Sequence, residues 1–254
     1  MRRWVLLIGL VLALLLAACD GGDDETPQDE VVEPEATEVL QEAVDLLPIE
    51  PGLKMQTGLT MLNHSLGKRG DIGYFYGEVR NDTGKQLHAI ESFVYAVDEL
   101  GYEIGIHVAD SLMTEIPPGQ VFYVGRDFTT SEDFADAQIW VRYLEGEAVV
   151  DGFFNLPATV EYHGLAENME YVVRGTVQNT SGQTLNYYVV DVVLIGPDEN
   201  LVGLSRGVLT LSAADGSWQP GENAAFEAPF FFTAVEPDLV QDVRVAAAGY
   251  AQRQ

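Results

Sequence analysis

Apolar residues follow three different rhythms along this chain. From Trp4 to Ala18 they form an unbroken run of fifteen residues. From Asp20 to Glu50 they are sparse, but Val39, Leu40, Ala43, Val44 and Leu47 recur at helical spacing behind Thr37. That spacing predicts a short helix of about three turns from Ala36 to Leu47. Beyond residue 52 the rhythm becomes alternation: Phe75, Gly77 and Val79 interleave with Tyr76, Glu78 and Arg80, and Val173, Gly175 and Val177 with Arg174, Thr176 and Gln178. Each set predicts a strand with one inward face. Ile90 to Val97 and Tyr187 to Ile195 are near-continuous apolar runs rich in Val and aromatics, which predict central strands buried on both sides. Pro118-Gly119 and Pro220-Gly221 suit the middle of type II turns, where the second central residue needs positive φ. Short strands between turn signals, with almost no helical periodicity, predict an all-β chain of two-sheet sandwiches.

The region after residue 52 also contains itself twice. Gly77-Glu78-Val79-Arg80-Asn81-Asp82-Thr83-Gly84 and Gly175-Thr176-Val177-Gln178-Asn179-Thr180-Ser181-Gly182 share the pattern G-x-V-x-N-x-[ST]-G at a spacing of 98, and Leu87 and Leu185 keep it. Asp98 aligns with Asp198 at 100, Pro118-Gly119-Gln120 with Pro220-Gly221-Glu222 at 102, and Val141-Arg142-Tyr143 with Val243-Arg244-Val245 at 102. A period near 100 is that of whole domains in tandem, not of a solenoid. The expected organisation is an N-terminal segment 1–18, an acidic tether 19–52 with the short helix, a first sandwich 53–150 and a second 155–254.

The strand-turn G-x-V-x-N-x-[ST]-G, the apolar strand running into Val97-Asp98-Glu99-Leu100-Gly101 and the later Pro-Gly-Gln-x-Phe resemble the FxLYD domain. The resemblance covers Leu59 to Leu144 and Val160 to Ala248. Val94-Tyr95-Ala96-Val97-Asp98 keeps the apolar run and the aspartate, whereas Leu194-Ile195-Gly196-Pro197-Asp198 has a turn-like Gly-Pro inside it. The resemblance implies an immunoglobulin-like β-sandwich, extracytoplasmic and non-enzymatic, with no catalytic residues to transfer.

Met1-Arg2-Arg3 ahead of Trp4–Ala18 gives the basic and apolar regions of a secretory signal, the run being too short to span a bilayer comfortably. Leu16-Ala17-Ala18-Cys19 puts small residues directly before the only cysteine and resembles the lipobox of bacterial lipoproteins. The resemblance implies cleavage before Cys19 and its acylation, so the protein is expected to be extracytoplasmic and held to the membrane by lipid. Asp20 resembles a signal for retention at the inner membrane in hosts with two membranes. The tether carries twelve acidic residues from Asp20 to Glu50 and no Lys or Arg, so it repels itself and extends. It lacks a D-x-D-x-D-G pattern and reads as a solvated spacer before it reads as a calcium site.

Composition narrows the partners. The chain of 254 residues has 13 Lys and Arg against 40 Asp and Glu, a formal charge of −27. Nucleic acid is therefore not an expected partner. A single cysteine leaves no disulfide framework and no multi-Cys zinc site.

The remaining motifs have ordinary readings. Gly203-Leu204-Ser205-Arg206-Gly207 spells a nucleophile elbow, which needs a strand before it and a helix after it; strand-like Val208-Leu209-Thr210-Leu211 follows, and the repeat sets Ser205 opposite Gly105. Arg69-Gly70-Asp71 reads as a loop before it reads as an adhesion tripeptide, and Asn63-His64-Ser65, Asn81-Asp82-Thr83 and Asn179-Thr180-Ser181 match glycosylation acceptors by their letters alone. His64, His88, His107 and His163 lack metal-ligand spacing, although His64 and His163 fall within one residue of equivalence. Trp140, Trp218 and Phe230-Phe231-Phe232 are expected in cores or at a domain interface before they are expected at a ligand. No catalytic centre, cofactor or metal is expected. The expected role is a lipid-anchored binding or assembly module of the bacterial cell envelope with a protein or polysaccharide partner. The alternatives are a structural spacer and, remotely, a serine hydrolase using Ser205.

Overall fold

The computed structural model describes residues 46–50, 53–69, 72–97, 100, 103–110, 115–129, 136–144, 150–168, 170–230 and 235–252. Cys19, the N-terminal apolar run and most of the tether lie outside them. The expected helix over 36–47 also lies outside, except for its last two residues, which begin a strand. Leu46 and Leu47 pair with Gln56 and Met55, so a backbone partner on the next strand decides their conformation in place of the local 3.6-residue spacing.

The first half contains β1 (Leu46–Glu50), β2 (Leu53–Gln56), β3 (Leu59–Arg69), β4 (Ile72–Asn81), β5 (Ala89–Val97), β6 (Glu103–Asp110), β7 (Val121–Thr129) and β8 (Asp136–Leu144). They form a five-stranded sheet, β1-β2-β8-β5-β6, facing a three-stranded sheet, β3-β4-β7. The second half contains β9 (Val150–Leu156), β10 (Ala158–Leu165), β11 (Tyr171–Gln178), β12 (Tyr187–Ile195), β13 (Leu201–Arg206), β14 (Val208–Thr210), β15 (Asn223–Phe230) and β16 (Asp242–Gln252). They form β13-β12-β16-β9 facing β10-β11-β15-β14. Both halves are thus all-β sandwiches. Phe75, Val79, Phe122, Val124 and Val141 fill the first core, and Val173, Val177, Leu194, Trp218 and Phe226 the second. Burial removes these side chains from water at roughly 1.5–3 kcal/mol each.

The motif asparagines do more than the sequence suggests. Asn81 ends β4 fully buried, and neither it nor Asn179 has positive φ. The Asn81 amide donates to the carbonyls of Lys85, Ile116 and Pro117 at 2.8, 2.9 and 3.0 Å, and its oxygen accepts from Thr83 N and Oγ1. Asn179 does the same with Gln183 and Trp218 carbonyls, both at 2.9 Å, and with Ser181. The asparagine therefore ties the turn after its strand to a remote loop, the turn serine or threonine orients it, and Gly84 or Gly182 closes the turn at φ +72 or +74. The Pro-Gly corners follow expectation, with Gly119 and Gly221 at φ +78 and +79 and hydrogen bonds from Gln120 N to Pro117 O and Glu222 N to Gln219 O.

Ladder register corrects three alignments made on sequence. Ala96 faces Gly105 and Leu194 faces Gly203, each just before a register shift. The spacing of 98 therefore persists through this hairpin, Gly105 corresponds to Gly203 and not Ser205, and Asp98 corresponds to Gly196 and not Asp198. The spacing becomes 102 only at the bridges Leu87–Ile116 and Leu185–Trp218. The final strands differ again: Val94 pairs with Ile139 and Val192 with Val245, a spacing of 106. Val141-Arg142-Tyr143 therefore does not correspond to Val243-Arg244-Val245. Both insertions are of four residues, an even number, so inward and outward faces survive them.

Candidate functional site

Burial on the outward faces distinguishes the two halves. Tyr76 belongs to the outward set of β4, yet it is 1 % exposed. It packs with Tyr123, Val193, Ile195 and Leu201, flanked by Tyr74, Leu204 and Ala246. The outer face of β3-β4-β7 is therefore pressed against the outer face of β13-β12-β16-β9, and β12 is buried on both sides from Val189 to Ile195, as its apolar run predicts. Polar groups frame this contact. Asn63 Nδ2 donates to Glu199 O at 2.7 Å, Leu201 N to Ser65 Oγ at 3.0 Å, and Arg69 to Val202 O at 3.0 Å with its guanidinium over the Tyr74 ring. Arg244 pairs with Glu199 and Glu78. Val189, Ala248 and Tyr250 extend into the first core, where the Tyr250 hydroxyl donates to Glu115 O. Both sandwiches belong to one compact unit.

At the centre of this contact lies a carboxyl. Asp191 shares the face of β12 that carries Val189 and Val193, is fully buried, and neither of its oxygens makes a hydrogen bond among the described residues. Desolvation pushes its pKa up to about 8, against a smaller opposing pull from Arg206, so the acid is held neutral where an ionised one would be costly. Burial also raises the phenols of Tyr76, Tyr123 and Tyr250, with nearby carboxyl groups adding to all three. The Tyr76 hydroxyl donates to Asp127.

The second sandwich uses the equivalent face differently. Partner by partner, Ser65, Tyr74, Tyr76, Gly125 and Asp127 of the first copy correspond to Tyr162, Val172, Arg174, Glu227 and Pro229 of the second. Where the first copy is covered, the second is hollowed into a cleft of about 630 Å³. Tyr162, 41 % exposed, forms one side, with the Arg174 guanidinium 5.7 Å from its ring centroid. Arg174 Nε meets Glu227 Oε2 at 2.6 Å, the two side chains about half exposed. The loop after β10 forms the rim, braced by Ala166 N to Glu170 O and by Asn168 Nδ2 to Glu170 Oε2 at 2.7 Å. The Tyr162 hydroxyl donates to Leu165 O at 2.8 Å, which fixes the ring.

None of the motif candidates gathers into a reactive constellation among the described residues. Ser205 sits in β13 with its hydroxyl donating to Pro229 O at 2.6 Å, and β14 follows it, not a helix. Arg69 and Ile72 end and begin strands on either side of undescribed Gly70 and Asp71. Described His, Asp, Glu and Cys side chains form no group of three able to hold a metal. His64 pairs with Gly77 and His163 with Val173, two positions apart on equivalent strands, which corrects their near-equivalence. His163 Nδ1 lies 2.8 Å from the Tyr171 hydroxyl, and His88 Nδ1 lies 3.0 Å from Glu115 Oε1. His107 lies in β6. Trp218 is core, its Nε1 donating to Glu222 O, and so is Phe230; Phe231 and Phe232 lie outside the described residues. Trp140 points away from the core that holds Ile139 and Val141, with Tyr95 at 4.9 Å and Lys54 over its ring.

Sequence reasoning missed Asp191 and the Tyr162–Arg174–Glu227 group. An aspartate inside a run of eight apolar residues was the available signal for the first; the second joins three strands and left none. No known family model matches the chain, and no curated protein does.

Proposed function

We propose that this protein is a lipid-anchored, extracytoplasmic binding or assembly module of a bacterial cell envelope, acting without catalysis. The observation that carries the binding part is the open cleft on the second sandwich, on the face whose counterpart in the first sandwich packs against β12 and β13. A sheet face braced by a rigid partner presents side chains with little motion, which lowers the entropy lost on binding. Anchoring rests on Cys19 behind its apolar run, and the acidic tether supplies distance from an anionic membrane. Kinship with the FxLYD domain is part of the proposal and rests on the repeated strand-turn motif.

Membrane fractionation and intact mass of wild type beside Cys19→Ser test the anchor. The expected wild-type chain starts at an acylated Cys19, with the mutant unprocessed or released; an unmodified Cys19 with its leader retained would overturn it. A photo-crosslinker at position 162, in cells, tests binding: an adduct is expected, and none under varied conditions would count against a module of this kind. The polar and apolar frame between the sandwiches favours a second reading, a stiff spacer. Rescue of a deletion by an unrelated sandwich pair of equal length would establish that reading instead.

A further inference from the structure

The cleft's chemistry narrows its occupant, on the reading that the second sandwich binds something. The first copy's Tyr74, Tyr76 and Tyr123 make an aromatic floor that takes an apolar neighbour, Val193, Ile195 and Leu201. The second copy puts Val172, Arg174 and Ala225 at those positions. A face so changed does not fit the same kind of partner. Charge removes another class: Glu167, Glu170 and Glu227 line the cleft with a single guanidinium, on a chain of charge −27, so an anion is repelled. A compact cation meets Arg174 in the middle of the floor. Strand addition is also disfavoured, because the β10 edge is broken by a register shift between Val160 and Tyr162 and by Gly164 at φ +151, devices that blunt pairing.

What remains is a neutral ligand rich in hydroxyls, lying on the face of the sheet. Tyr162 offers an exposed, fixed ring against which the C–H face of a sugar packs. Beside it, Arg174 keeps N–H donors beyond the one given to Glu227, while Glu227 and Glu170 supply planar acceptors. We propose that the outer face of β10, β11 and β15 is a saccharide site, with one sugar ring on Tyr162 and its hydroxyls bonded to Arg174, Glu227 and Glu170.

The test titrates the full-length protein in detergent with cellohexaose, maltohexaose and tetra-N-acetylchitotetraose, followed by saturation-transfer NMR. Spermine and an oligogalacturonate serve as cationic and anionic comparisons. At least one neutral sugar is expected to bind. Tyr162→Ala and Arg174→Ala should each weaken it about tenfold or more, a loss of roughly 1.4 kcal/mol. Tyr162→Phe, which keeps the ring, should bind within about threefold of wild type, and this holds the test open if the alanine variant misfolds. No binding by any of the three sugars, binding unchanged in Tyr162→Ala and Arg174→Ala, or binding of spermine or oligogalacturonate in their place would each overturn the proposal. A protein adduct at position 162 without sugar binding would overturn the saccharide while leaving the binding module standing. No adduct and no sugar would remove both.

Discussion

Asn81 and Asn179 hold the same junction in the two sandwiches: each is fully buried at the end of a central strand, and each amide spans the turn after that strand and the loop before the Pro-Gly corner. The backbone closes the same knot, with Gly119 N donating to Asn81 O and Gly221 N to Asn179 O at 2.7 Å. No hydrophobic side chain substitutes here, because the carbonyls the amide serves would be left buried without donors.

Asn81→Ala and Asn179→Ala are each expected to cost roughly 2–4 kcal/mol of stability in urea unfolding, from several lost hydrogen bonds and the stranded carbonyls. Aspartate, closest in shape, is expected to be no better, since its second oxygen faces carbonyls instead of donating to them. A loss below about 0.5 kcal/mol in both alanine variants would show that the junction is held by backbone alone.

The first glycine of each motif separates the copies. A Cβ on Gly175 would sit 2.0 Å from the Thr159 carbonyl oxygen and 2.7 Å from the Phe226 ring, whereas one on Gly77 would first meet Met61 Sδ at 3.2 Å. Backbone cannot retreat as a methionine can. Gly175→Ala is therefore expected to destabilise by about 1–3 kcal/mol, and Gly77→Ala by under about 1 kcal/mol. Equal effects in thermal unfolding would refute the asymmetry.

These residues also show what local pattern reveals. The Pro-Gly corners, the inward sets of β4 and β11 and the doubly buried β12 were legible because each depends on neighbours within a few positions or on simple alternation. Tyr76 was not: its alternation assigns it to solvent, and residues distant in sequence, Val193, Ile195 and Leu201, bury it. The likeness of Val141-Arg142-Tyr143 to Val243-Arg244-Val245 misled because Arg142 pairs with Glu91, whereas Arg244 reaches Glu78 and Glu199, and only ladder register tells them apart. The cleft was invisible for the same reason, since β11 joins Tyr162 to Glu227 by carrying Arg174 between them.

Coupling between the sandwiches follows from the covered face. Val193 is fully buried between Tyr76 and Tyr123 on one side and its own sheet on the other. Wild type is expected to melt in one calorimetric transition. Val193→Asp, which puts a carboxyl without a hydrogen-bond partner into that contact, should split it in two or lower the midpoint by about 6 °C or more, given roughly 2–4 °C per kcal/mol for a chain of this size. An unchanged single transition would mean that the halves are stable without their contact.

The carboxyl of Asp191 gives the same contact a pH dependence of defined sign. In the unfolded chain the group titrates near its ordinary value of about 3.9; folded, burial raises it to about 8. Between those values the folded state holds a proton that unfolding releases, so stability is greatest below about pH 4, falls by about 1.4 kcal/mol per unit as pH rises, and levels off above about pH 8. Among the described residues, the charged or titratable groups around it are Arg206 from β13, Tyr250 from β16 and, beyond Tyr250, Glu115. Asp82, Asp215 and Glu222, lowered by hydrogen bonds at the surface, work in the opposite sense and only in acid. Asp191→Asn keeps the shape and removes the proton. The difference in unfolding free energy between wild type and Asp191→Asn, measured from pH 5 to 9, should therefore move against wild type about tenfold in the unfolding constant per unit up to pH 8 and then stay flat. Parallel curves would show that Asp191 is solvated in the folded protein, and that the contact between the sandwiches is wetter at its centre than its packing indicates.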